Sequence, residues 1–227
     1  MLWKTAFRVW VVAVFLAMQL GGAQAQAFAQ LDASDTVSGY LARLLINETP
    51  FPGELGYESE DDTKTAMLAI LWVVHSRVHH IPAGYTQEQV AAIRSDNVID
   101  IITAGGEKGQ CDGFYKDAQG RFVSVPRVEQ RIQYLLKIAN SGGKPGKFAA
   151  LLNYAQDLAR TYVKRGLTAA DRYVDIRKIN RLAVTGRGFG WMTDRGCNPG
   201  GNFVAIPDSD QGSLGHNRFF TLRKEPK

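Results

Sequence analysis

A chain of 227 residues with 45% apolar content can bury a sizeable core, which excludes a disordered polyelectrolyte and fits one domain with short appendages. The formal net charge is +5, falling to +3 once Lys4 and Arg8 are set aside, a mildly basic balance that suits an anionic polymer such as a bacterial wall. No Lys/Arg cluster is interleaved with aromatics as a strand-tracking groove would need, so nucleic acid is not an expected partner.

The first residues carry Lys4 and Arg8, an apolar run from Val9 to Leu20, and Ala-x-Ala at Ala23-Gln24-Ala25 and Ala25-Gln26-Ala27. This predicts a secretory signal peptide over residues 1–27, too short in its apolar part for a stable membrane anchor, with no lipobox cysteine behind it. Residues 28–227 are then the exported domain, periplasmic or extracellular.

Gln26 to Ser34 reads as a polar leader, with Ser34 or Asp35 placed to cap a helix that runs to Pro50. In that helix Val37, Leu41 and Leu44 are followed, at the next step of four, by Glu48, so the carboxylate continues the inward stripe. Pro50 and Pro52 end the helix and open a Pro/Gly loop. Ser59 and Asp62 then stand at capping-box spacing ahead of Ala66 to Val74, a segment apolar nearly all round and expected to be the buried central helix. Thr86 and Gln89 open a further capped helix to about Arg94, and the apolar run 98–102 is of undecided type.

Phe114-Tyr115-Lys116 and Arg121-Phe122-Val123 flank Asp117-Ala118-Gln119-Gly120, predicting a small β-hairpin with Gly120 in the left-handed region. Pro126 starts an amphipathic helix with Val128, Ile132, Leu135, Leu136 and Ala139 on one face. Another runs from about Lys147 to Lys164 and is closed by Gly166. A third is expected from Thr168, with Asp171 as its cap, through Ile179. From Gly186 onward the chain reads as loops of the kind that line sites. The sum is an α+β domain, mostly α, with a minor hairpin.

Among chemical candidates, Glu48 stands out because desolvation of a carboxyl on an apolar face raises its pKa and keeps a proton ready for donation; the alternative is a helix-end Glu in solvent. Cys111 and Cys197, in an exported chain, are expected to form a disulfide worth about 4 kcal/mol by loop entropy. His75 and His79, four apart with His80 beside them, resemble half a zinc site. Ser76 replaces the general base of His-Glu-x-x-His, however, and no third ligand has recognisable spacing, so no metal or other cofactor is expected.

Four segments in order resemble a cell wall hydrolase of the SleB type: Ala42-Arg43 with Glu48, Ala69 to Val78 ending in Ser76-Arg77-Val78, Gln110-Cys111-Asp112-Gly113-Phe114, and Gly215-His216-Asn217-Arg218-Phe219-Phe220. Two departures from the family pattern are Thr49-Pro50-Phe51-Pro52, where an Arg-Gly-Glu run is usual, and Ser76 in place of Asn. The resemblance implies a lysozyme-like single domain that cleaves peptidoglycan glycan strands.

On that reading Glu48 is the catalytic acid, and Gln110, Tyr115, Trp191 and His216 are substrate-binding candidates. Hydrolysis would require a second carboxylate across the scissile bond. None of Glu54, Glu58, Glu60, Asp61, Asp62 or Asp112 is convincing, which favours lytic transglycosylase chemistry, needing one carboxyl and yielding 1,6-anhydro-muramyl ends. The alternatives are a zinc-dependent amidase or peptidase built on His75 and His79, and a wall-binding module without turnover.

Overall fold

The computed structural model describes residues 28–142, 146–193 and 198–224. The expected signal peptide and Cys197 lie outside them. The described residues form a mixed α/β domain of six α-helices and small antiparallel sheets, and none of the helices is long and apolar enough to cross a membrane.

Helix α1 (Val37–Asn47) is the hub. Its N-cap is Thr36, whose hydroxyl accepts from the Gly39 amide, one residue later than the expected Ser34 or Asp35. Every residue from Gly39 to Ile46 is buried, so α1 is enclosed on all sides rather than along one stripe. Its neighbours are α2 (Glu60–His79), α5 (Pro126–Asn140) and α6 (Gly146–Arg165). Gly39 lets the leader cross the helix, since a Cβ there would stand 2.1 Å from the Ala33 carbonyl oxygen. Arg43 is buried yet satisfied, donating to the Glu129 carboxylate and to the Asp32 and Gly39 carbonyls.

Helix α2 is capped by Ser59, as its spacing predicts, and contributes Met67, Ile70, Leu71, Val73 and Val74 to the core. It therefore shares the central position with α1. The Thr86/Gln89 capping box is present, but α3 (Gln87–Ala91) ends early because Ala92 adopts the left-handed region. The undecided run 98–102 is helix α4 (Val98–Thr103), capped by Asn97. Strands β1 (Phe114–Lys116) and β2 (Phe122–Ser124) form the expected hairpin, with Gly120 at φ +77°. The Tyr40 hydroxyl donates to the Val123 carbonyl at 2.9 Å and so pins that hairpin to α1.

Two expectations are corrected in the C-terminal third. No helix spans 168–179. Asp171 is buried, accepts from the Tyr173 amide and pairs with Arg187 at 2.8 Å, so its carboxylate organises a turn about the buried Tyr173 instead of capping a helix. Strands β3 (Lys178–Ile179) and β4 (Leu182–Ala183) follow, joined by Asn180 and Arg181, both at positive φ. The segment expected to be loops contains a four-stranded antiparallel sheet. Its strand β8 (Asn217–Leu222) pairs with β5 (Gly190–Met192), β6 (Phe203–Ala205) and β7 (Ser213–Leu214). The strands are two to six residues long and separated by Gly-rich turns, which hides their alternation in sequence.

Candidate active site

Helix α1 stops at Glu48 because Pro50 has no N–H to continue the ladder; the Thr49 hydroxyl instead caps the Leu45 carbonyl at 2.8 Å. Glu48 is the C-cap and leaves the core half-buried, at a cavity of about 150 Å³ shared with Asn47, Glu54, Leu55, Arg131 and His216. The β7–β8 hairpin closes one side. Gly215 and His216 both have positive φ, as a two-residue type I′ turn requires, and a Cβ on Gly215 would lie 2.5 Å from the Ala66 methyl. The next residue, Asn217, is fully buried and donates to the Glu48 carbonyl at 2.7 Å and to the Gly215 carbonyl at 2.9 Å. The end of α1 and the terminal turn are thereby held in one register.

The Glu48 carboxyl meets neutral donors. One oxygen accepts from Trp191 Nε1 at 2.9 Å and the other from Asn47 Nδ2 at 3.1 Å. Burial raises its pKa above the ordinary carboxylate value; the bonds from Trp191 and Asn47 pull the other way, nearby Asp112 adds to the rise and Arg131 opposes it. The carboxyl thus keeps its proton to higher pH while touching a space that a ligand can enter, the combination expected of a general acid.

Behind Trp191 lies Arg77, buried on the last turn of α2. Its Nε donates to the Phe189 carbonyl at 2.8 Å and its Nη1 to Gln110 Oε1 at 2.7 Å, while its guanidinium stacks 5.5 Å from the Trp191 ring centre. Gln110, Arg77, Trp191 and Glu48 therefore form one continuous chain of contacts. Gln110 supports the indole through Arg77 rather than lining the cavity. Opposite, Arg131 donates to the Ile46 and Thr49 carbonyls and to both oxygens of Glu54, with Phe51 under its guanidinium. Glu54, the other carboxylate among the described residues that line the cavity, is thus occupied. Asp112 is mostly exposed and pairs with Arg127.

Of the sequence-derived site residues, Glu48, Trp191 and His216 converge, with Gln110 one contact behind. Tyr115 does not join them: it sits on β1 against the core, and its carbonyl accepts from Tyr40. Cys111 is a buried free thiol beside Glu48 and Arg77, and burial raises its pKa strongly; with Cys197 outside the described residues, no bridge is seen. His75 packs its ring 4.5 Å from His79 and 5.3 Å from His80, and burial lowers its pKa to about 4. Among the described residues no three His, Cys, Asp or Glu side chains converge as a metal would need.

The roles of Arg77, Arg131 and Asn217 were not assigned from sequence. Arg77 and Asn217 lie inside segments the resemblance matched, which was a usable signal; Arg131, five residues into an ordinary amphipathic helix, gave none. The chain matches no known family model, no curated protein and no solved structure.

Proposed function

We propose that this protein cleaves the glycan strands of peptidoglycan as a lytic transglycosylase of lysozyme-like architecture, acting on the wall after export. The observation that carries the reading is Glu48, a carboxyl with raised pKa, hydrogen-bonded by neutral donors at the edge of a cavity whose other acid among the described residues is bound to Arg131. A hydrolase that retains or inverts needs a second working carboxylate. Transglycosylation does not. Glu48 donates its proton to the glycosidic oxygen as the C1–O bond breaks. The resulting carboxylate then withdraws the proton of the muramyl 6-hydroxyl as that oxygen bonds to C1. Glu48 ends protonated, no water is consumed, and the product is a 1,6-anhydro sugar. In this scheme the Trp191 N–H strengthens its bond to the Glu48 oxygen as negative charge develops there.

The test is digestion of purified peptidoglycan by wild type and Glu48→Gln, with products read by mass spectrometry. Anhydro-muramyl ends made by wild type and absent with the variant are expected. Reducing ends would identify a hydrolase, EDTA-sensitive release of stem peptides an amidase or peptidase, and binding without products a wall-binding module. Full activity in Glu48→Gln would refute the assignment of the acid.

A further inference from the structure

Four large apolar side chains stand mostly exposed among the described residues: Phe28 at 68%, Leu55 at 86%, Tyr134 at 61% and Val163 at 51%. Phe28 is the first described residue, and Val163 opens onto a separate cavity beside His75 and His79. The other two belong to the surroundings of Glu48. Leu55 lines the Glu48 cavity itself. Tyr134 lies three residues beyond Arg131 on α5, so the two are neighbours on one helix face, and Arg131 lines the same cavity.

A singly exposed leucine is ordinary on a protein surface. Leu55 differs because the turn that carries it is fixed on both sides. Phe51 is fully buried before it, and Glu54 next to it accepts from the Phe51 amide at 2.7 Å and from Arg131. After it, Gly56 holds φ +82° under the His216 imidazole, where a Cβ would approach the ring to 2.3 Å. The backbone is thus clamped while the side chain is left in water, at an uncompensated hydration cost. One helical turn beyond Arg131, Tyr134 presents a largely exposed ring of the size that stacks on the apolar C–H face of a pyranose.

We propose that Leu55 and Tyr134 form an apolar rim that binds the polysaccharide strand beside Glu48, Leu55 contacting its N-acetyl or lactyl methyl groups and Tyr134 a sugar face. This rests on the glycan-cleaving reading above and names where that strand lies. The occupant is a glycan rather than a protein because Leu55 lines the cavity that holds the acid and Tyr134 follows Arg131, which also lines it, by one helical turn.

The experiment measures sedimentation with purified peptidoglycan in a Glu48→Gln background, which allows binding without turnover, for the parent, Leu55→Ser and Tyr134→Ala. Both positions are exposed, so thermal midpoints should be unchanged. The expected result is a roughly three- to tenfold higher half-saturating wall concentration for each variant. Parent-like binding by either variant overturns the rim. Failure of the parent itself to bind retires the functional reading, and the rim with it. Sedimentation velocity on the same proteins covers the rival occupant: a dimer abolished by the substitutions, with wall binding intact, assigns the patch to a second copy of the chain and overturns the proposal.

Discussion

Replacing Trp191 by Phe removes one N–H from the Glu48 carboxyl and little else that is polar, because among the described residues Nε1 donates to that oxygen alone, at 2.9 Å. A hydrogen bond to an ionised partner is worth about 1.5–3 kcal/mol, and here it favours the carboxylate over the acid. Its loss leaves burial less opposed, so the pKa of Glu48, already raised, rises further. If Glu48 must carry the proton at the start of turnover, kcat/KM is high below its pKa and falls as pH rises through it. The alkaline limb of the profile therefore moves to higher pH in Trp191→Phe. The maximal rate drops at the same time, on the order of tenfold, because the carboxyl loses an orienting contact. Arg77 keeps its bonds to Phe189 and Gln110 and still has an aromatic face to stack on, so the fold should lose only about 1–2 kcal/mol. The assay is initial-rate turbidity clearing of peptidoglycan between pH 4 and pH 9, with urea unfolding alongside. An alkaline limb that stays in place or moves to lower pH, with the fold intact, would refute the assignment of Glu48 as the acid tuned by Trp191.

Three further outcomes are expected. Because the native pKa of Glu48 is raised above its ordinary value of 4.5, the native state binds this proton more tightly than the unfolded chain, and the associated stability, full below the unfolded pKa, is lost as pH rises toward the native pKa. Glu48→Gln should therefore gain stability relative to wild type between pH 4 and pH 8, measured by urea unfolding at both; a constant difference would sink the argument. The Ser76 hydroxyl is buried without a hydrogen-bond partner among the described residues, so Ser76→Ala should be neutral or more stable by up to about 1 kcal/mol, and a loss of 2 kcal/mol or more would show that the hydroxyl is satisfied. Arg131→Met strips the donors from the Ile46 and Thr49 carbonyls and from Glu54; it should cost about 2–4 kcal/mol, read as a melting point lower by roughly 5–12 °C, together with much reduced wall clearing.

The helical two thirds of this fold was legible because its signals are local. Ser59, Thr86 and Pro126 mark helix starts, and Gly166 follows the end of α6 at φ +73°. The 114–124 hairpin was readable from its turn and its aromatic strands. Asp171 misled because the same carboxylate that can cap a helix can also hold a turn, and its partner Arg187 is sixteen residues away. The terminal sheet was missed because β7 has two residues and β8 is almost wholly buried, so neither shows alternation. At the site, periodicity singled out Glu48, the last ordered segment brought His216 under suspicion, and Trp191 entered as an aromatic able to stack on a sugar. Tyr115 was drawn in by residue type alone, and the structure sets it against the core.

What the sequence by itself determined is an acid placed at the end of an apolar helix and stopped there by Pro50, since spacing and the missing proline N–H act within a few residues. Whether that acid is solvated or chemically primed depends on groups brought from 143 and 169 positions away, the Trp191 indole and the Asn217 amide. Only the tertiary structure decided this, because desolvation and hydrogen bonding depend on what surrounds a carboxyl in space and not on its neighbours along the chain.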